Sequence, residues 1–131
     1  MRGFIGDIER QAEENRNFRR VLYTGPHLQL VLMSLEPGGE IGEEVHEDTD
    51  QFFRVEKGTG AVLIDGRETT IKSGMGIVVP AGARHNVKNT GKDSLKLYTL
   101  YAPPHHAYRT VQDTKADAEK SSEHFTGQTT E

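Results

Sequence analysis

The sequence contains no cysteine, which excludes disulfide bonds and thiolate metal sites. No apolar run approaches the roughly 20 residues that span a bilayer, and no apolar segment follows the N-terminus, so neither a membrane span nor a secretory signal is predicted. The net charge of −4 offers no electrostatic attraction to nucleic acid. We therefore expect a cytoplasmic protein with no nucleic-acid and no membrane partner.

The length of 131 residues predicts one folding unit with a single core. Only 34% of the residues are apolar, so the core must be compact and the surface polar. We divide the chain into an N-terminal extension over residues 1–19, a barrel over 20–109, and a C-terminal helix with a disordered tail over 110–131. The tail is predicted to be disordered because it has almost nothing to bury.

Short apolar runs separated by turn residues predict an all-β fold, a sandwich or barrel of antiparallel sheets. The strongest hairpin signal is the pair Asp65-Gly66, which lies between two strand-like runs. The predicted strands cover residues 20–23, 27–35, 52–55, 61–64, 67–71, 76–79, 84–88 and 95–101.

Two short helices are predicted outside the barrel. The first spans residues 8–15, with Asp7 as its N-cap, and belongs to a peripheral N-terminal segment. The second spans residues 115–121, where Thr114 and Asp117 resemble a capping box.

The stretch from residue 38 to 58 holds the candidate site. Glu44 and His46 are two residues apart, so a strand would present both side chains on one face. The turn residues at 48–50 predict a hairpin that brings Gln51 back across from them. His85, from a later strand, is a candidate second imidazole for the same place.

The spacing of these residues follows a pattern. Gly38 is followed by five residues, Glu44, one residue, His46, four residues, Gln51, six residues and Gly58. Fifteen residues later a second pattern begins.

The second pattern is a glycine, five residues, Pro-x-Gly, two residues, a histidine, three residues and an asparagine. Here these positions are Gly74, Pro80, Gly82, His85 and Asn89.

Together the two patterns resemble the paired motifs of the cupin superfamily, and with their strands they cover residues 20–101. The resemblance implies a double-stranded β-helix, a single jelly-roll barrel with a metal inside, as in short single-domain cupins. Two positions depart from the family's motif. Its first histidine is Glu44 here, and its glutamate is Gln51, so the carboxylate has moved from one ligand position to another.

The resemblance makes Glu44, His46, Gln51 and His85 candidate ligands of one divalent first-row metal ion. Two imidazoles and one carboxylate compose the facial triad of non-haem iron, and the same donors suit Mn, Ni, Co or Zn. Gln51 is either a fourth ligand or a donor that orients the others. The alternative is an empty barrel in which Glu44, His46 and Gln51 hydrogen-bond one another.

Two functions remain open from the sequence. One is a metal-dependent enzyme of the oxygenase, isomerase or lyase type that acts on a small organic molecule. The other is a non-catalytic module that binds a small ligand or a metal, for instance a sensor.

We also expect a homodimer, because a jelly roll this small has sheet edges to protect. His105 and His106 are assigned to a loop, where adjacent residues are not expected to share one site.

Overall fold

Two antiparallel sheets face each other in the computed structural model, which describes all residues from Met1 to Glu131. In chain order the strands are β1 (Arg19–Thr24), β2 (Gln29–Leu35), β3 (Glu44–Val45), β4 (Asp50–Lys57), β5 (Thr59–Ile64), β6 (Arg67–Lys72), β7 (Gly76–Val79), β8 (Arg84–Asn89), β9 (Leu95–Ala102) and β10 (Val111–Gln112). Six of them form one sheet in the order β10-β1-β2-β9-β4-β7, and four form the other in the order β3-β8-β5-β6. The all-β prediction is confirmed.

Alternating side chains from the two sheets fill the space between them. Six apolar residues of the interior are at most 1% exposed: Met33, Leu35, Phe53, Val55, Val87 and Leu97. They belong to one core cluster of 16 buried residues. Phe18 and Tyr101 are members of the same cluster, so the core extends to the start of β1 and to the end of β9.

The predicted Asp65-Gly66 hairpin is confirmed. β5 and β6 pair with Ile64 opposite Arg67, which leaves a two-residue connection. Asp65 and Gly66 have φ values of 47° and 81°, the left-handed conformations that a type I′ turn requires at both central positions.

Both predicted helices are present, α1 (Ile8–Glu14) and α2 (Lys115–Lys120). Asp7 caps α1 by accepting a hydrogen bond from the Arg10 N–H at 3.1 Å. Thr114 caps α2 in the same way, with the Asp117 N–H at 3.1 Å. Neither helix has the length and apolar character that a membrane-spanning helix needs.

The predicted hairpin between Glu44 and Gln51 is wrong. β3 pairs with β8, where Glu44 lies opposite His85, whereas β4 pairs with β7 and β9. The turn residues between β3 and β4 therefore carry the chain from one sheet to the other. As a result, Gln51 lies on the sheet that faces Glu44 and His85, and the candidate ligands are supplied from two sides of the interior.

The C-terminal segment 122–131, predicted to be disordered, differs from that expectation. It forms no helix or strand, yet it returns to the barrel through polar contacts. The Glu123 carboxylate accepts hydrogen bonds from His106 Nδ1 and from the Ala107 N–H, each at 2.6 Å. Further along, the Thr130 N–H donates to the Thr24 carbonyl at 2.8 Å. These contacts are invisible to a search for apolar anchors, because none of them is apolar.

We predict that Glu123→Ala lowers the free energy of unfolding by about 1–3 kcal/mol, because two donors of the 106–107 segment lose their shared acceptor. Thermal or urea unfolding measures the change. Glu68→Ala on β6 removes the same charge from an exposed strand position and serves as the matched control. Equal unfolding midpoints for the two variants would show that the tail contributes nothing to stability.

Candidate functional site

Three of the four predicted ligands lie together between the sheets. Glu44, His46 and His85 each place one donor atom within 4.8 Å of the other two. Glu44 and His85 are direct cross-strand partners on β3 and β8. The His46 side chain, only 8% exposed, follows β3 on the same face, while its carbonyl accepts from the Gly82 N–H at 2.8 Å. Both glycine-bounded patterns of the sequence therefore contribute to one cluster.

The protonation of His85 is set by its backbone contact. Its Nδ1 lies 3.0 Å from the Ala83 carbonyl, so Nδ1 carries the proton and donates it. Nε2 is then an unprotonated acceptor, and this atom is buried without a hydrogen-bond partner in the protein. Histidines that bind metals typically have this arrangement, in which one ring nitrogen donates to a backbone carbonyl and the other is free to bind the ion.

Gln51 lies on β4 and is 2% exposed. Its Nε2 donates to the hydroxyl oxygen of Thr99 at 3.0 Å. Its Oε1 is buried without a partner, as His85 Nε2 is. In the alternative of an empty barrel, Glu44, His46 and Gln51 would hydrogen-bond one another. Only one such bond is present, between His46 Nε2 and Glu44 Oε2 at 3.1 Å. Buried acceptors without donors are rare in folded proteins, so a cation between them has a physical basis.

The Glu44 carboxyl is held in its charged form. Burial acts to raise its pKa, but the hydrogen bond from His46 and the electrostatic effect of His46, Arg19 and His85 together outweigh burial, and the pKa falls below its ordinary value. The carboxylate therefore stays ionised near neutral pH, which is the form that binds a cation.

Tyr101 is a site residue that the sequence analysis did not name. It is 1% exposed and lies directly opposite Gln51 on the adjoining strand β9. Burial raises the pKa of its hydroxyl, which donates to His106 Nε2 at 3.2 Å. The alternation that places Leu97 inside extends to Tyr101, so the sequence did carry a signal for it.

The adjacent histidines also reach the site, contrary to expectation. The His105 ring centroid lies 4.3 Å from that of His46, while His106 bonds Tyr101. Gln29, fully buried, explains this: its Oε1 accepts from the N–H groups of both histidines, at 3.2 and 2.9 Å. The segment is clamped in an irregular conformation, so the alternation of an extended strand does not apply.

A cavity of roughly 260 Å³ opens beside Glu44, between β1, the segment before β3 and α2. Arg19 on β1 lines it together with Glu44 and Lys115. Arg19 is 6% exposed, and its Nη1 donates to Gln112 Oε1 at 2.7 Å. A larger cavity of roughly 530 Å³ lies between the end of β2, the start of β9 and the start of α2, and none of the four candidate ligands lines it.

We predict that the metal-free protein loses stability as the pH falls from about 6.5 to about 4. Burial, together with the electrostatic effect of His106 and His46, lowers the pKa of His105 to about 4 in the folded state. In the unfolded chain the pKa of this histidine is near 6.5, so the unfolded state binds the proton more readily. The contribution of neutral His105 to stability is therefore present above about pH 6.5 and is lost as the pH falls toward about 4.

Chemical unfolding across this pH range, in the presence of a chelator, measures the slope. His105→Gln should flatten the dependence, and His124→Gln, at an exposed position, is the control for the loss of one histidine. If the unfolding free energy of His105→Gln changes with pH as steeply as that of the wild-type protein, His105 is not the source of the pH dependence.

Comparison with known proteins agrees with the geometry. The model of the cupin domain matches residues 31–101. The uncharacterized protein YrkC of Bacillus subtilis is 46% identical over 121 residues, which are 88% of this chain and 65% of YrkC. Protein L612 of Acanthamoeba polyphaga mimivirus is 43% identical over 107 residues, 79% of this chain and 67% of L612. The chain thus spans about two thirds of the length of these curated relatives.

The crystal structure of BH2720 from Bacillus halodurans superposes with a TM-score of 0.89 at 46% identity, over 92% of this chain and 96% of that one. The fold, both motif spacings and the family match lead to one conclusion. The chain belongs to the cupin family.

Proposed function

We propose that the protein binds one divalent first-row metal ion through Glu44, His46 and His85. The observation that carries this proposal is the convergence of three donor atoms within 4.8 Å, one of them a buried imidazole nitrogen with no partner in the protein. The composition of two imidazoles and one carboxylate suits Mn, Fe, Co, Ni or Zn. No donor is a thiolate, so the ion is one that accepts nitrogen and oxygen ligands.

Gln51 would complete the site from the opposite sheet. Its amide is oriented by the bond to Thr99, which leaves Oε1 as the unused atom. Oε1 would serve either as a fourth, neutral ligand or as an acceptor for a metal-bound water molecule.

We propose further that the metal site is catalytic and acts on a small organic molecule. A divalent ion with open positions supplies Lewis-acid activation of a substrate oxygen. The chain's own contribution is a mostly buried site walled by Phe53, Tyr101 and His105, beside a cavity large enough for a few non-hydrogen atoms. The alternative function, a ligand or metal sensor, would use the same donors without turnover.

Isothermal titration with Mn²⁺ tests the metal site, and we predict one ion per chain. Glu44→Gln should weaken binding roughly 10-fold or more, because it removes the only carboxylate in the cluster. Gln51→Glu should strengthen binding, because it adds a second anionic oxygen to the same space.

Glu43→Gln is the matched control, since the neighbouring Glu43 is exposed and pairs with Arg84 on the surface at 2.8 Å. Affinity unchanged in Glu44→Gln would remove Glu44 from the ligand set. A wild-type protein that refuses Mn, Fe, Ni and Zn alike would end the proposal.

Turnover separates the two functions. Metal-loaded protein is incubated with diketones, flavonols and sugar acids, and oxygen uptake and product formation are followed. Conversion that disappears in His85→Ala identifies an enzyme, whereas binding without conversion across the panel favours the sensor.

We also propose a homodimer, formed through the apolar surface at the end of β1 and the start of β2. Leu28 is 48% exposed there, and Phe4, Tyr23, Leu30 and Leu100 line an adjoining apolar cavity of roughly 410 Å³. We predict a dimer mass in light scattering and a shift to monomer in Leu28→Asp, with exposed Val78→Asp on β7 as the control. A monomer mass at every concentration contradicts the proposal.

A further inference from the structure

We propose that Arg19 binds the carboxylate of a small monoanionic hydroxy- or oxo-acid, which makes such acids the substrate class of the metal site; the inference rests on the proposed function. Arg19 and Glu44 line the same cavity, so a ligand bound there would lie beside both residues, and Glu44 belongs to the cluster of metal donors. A carboxylate at Arg19 and a neighbouring oxygen at the metal would fix a small acid at both ends.

The burial of Arg19 is the first argument. An arginine that is only 6% exposed needs partners for its five N–H donors. Its Nη1 donates to the neutral amide oxygen of Gln112 and its guanidinium lies 5.2 Å from the centroid of the Phe18 ring, but Nε is buried without a hydrogen-bond partner. No carboxylate lies within salt-bridge distance of the guanidinium, and Glu44 and Glu123 act on it only from farther away, although buried arginines are normally paired directly. An incoming carboxylate would supply the missing acceptor in the geometry that guanidinium groups favour.

The charge around the site is the second argument. Two carboxylates belong to the site, Glu44 in the cavity itself and Glu123 on His106, while Glu43 at the cavity wall is paired with Arg84 at 2.8 Å. At the cavity wall, Lys115 is balanced by Glu119, 3.8 Å away. A divalent ion and Arg19 together would outweigh Glu44 and Glu123 by one positive charge. A monoanionic ligand would neutralise this excess, whereas a neutral ligand would leave it buried.

The size of the cavity limits the ligand. At roughly 260 Å³ it lies just below the usual range for drug-sized ligands, so it fits an acid of a few carbon atoms. Lys115 and Glu119 of α2 border the cavity, and Ala118 packs against the core beside it. Helix α2 therefore forms one wall of the binding space.

L-Lactate and propane-1,2-diol are the probes, because they share a three-carbon skeleton and the 2-hydroxyl and differ in the carboxylate. Each is titrated calorimetrically into Zn²⁺-loaded and into metal-free protein. We predict that wild-type protein binds lactate in preference to the diol. Arg19→Met should weaken lactate binding roughly 10- to 100-fold, as expected for the loss of a hydrogen-bonded charged partner. Binding of the diol should not change.

Arg20→Met is the matched control, since Arg20 is the adjacent residue on β1 and is exposed. Arg19→Lys keeps the charge but loses the planar fork, and it should show intermediate affinity. If Arg19→Met does not fold, the NMR signal of the Arg19 Nε–H in the wild-type protein decides. Lactate should shift this signal, and the diol should not.

Equal lactate affinity in Arg19→Met and wild type, an unmoved Arg19 Nε–H signal, or no lactate binding to either form overturns the inference. Failure of the metal proposal is seen separately, as absence of Zn²⁺ binding. In that event the titrations of metal-free protein still test the role of Arg19, because an interaction between its guanidinium and the lactate carboxylate does not require the ion.

Discussion

The cost of burying polar atoms between two apolar sheets is the constraint on which the interior depends. Most of these atoms have partners. The Gln29 amide uses both its oxygen and its nitrogen, and the Thr99 hydroxyl accepts from Gln51. Two acceptors without a partner remain, His85 Nε2 and Gln51 Oε1. The other buried side-chain atoms without a hydrogen bond are the donors Arg19 Nε and Arg54 Nε, so His85 Nε2 and Gln51 Oε1 are the unpartnered acceptors, and their place between the sheets supports the proposal of a bound cation.

The supporting contacts explain why the site can be rigid. Glu123 binds the 106–107 segment, His106 binds the Tyr101 hydroxyl, and Tyr101 lies opposite Gln51. The first two links are hydrogen bonds and the third is strand pairing, so the C-terminal segment supports the wall of the site as well as the surface. The barrel thus uses a tail with no regular secondary structure to fix a side chain in its core.

Local signals in the sequence predicted local structure well. The Asp65-Gly66 turn and the caps Asp7 and Thr114 each depend on a few neighbouring residues, and all three are confirmed. The spacing of the two patterns, each of which begins with a glycine, predicted which side chains converge, because one places His46 directly after β3 and the other places His85 on β8, both facing inward.

The strand pairing around Glu44 was not predictable from the turn that follows it, since a turn can continue a sheet or cross to the other one. Arg19 and Glu123 were missed for a related reason. Their partners Gln112 and His106 are distant in sequence, and polar contacts of that kind leave no periodic pattern. Such contacts become visible only when the topology is known.

This chain has Glu44 where the family's motif has a histidine, and Gln51 where the motif has a glutamate, and both differences have a physical explanation. Position 51 is 2% exposed and its observed partner is the neutral Thr99, so a carboxylate there would be costly without a metal. The Glu44 side chain is 31% exposed and lies within the influence of Arg19 and two histidines, which lower its pKa. The carboxylate therefore occupies the position where its charge is best supported. Because Arg19 provides part of that support, the moved carboxylate and the buried arginine form one electrostatic unit at the mouth of the site.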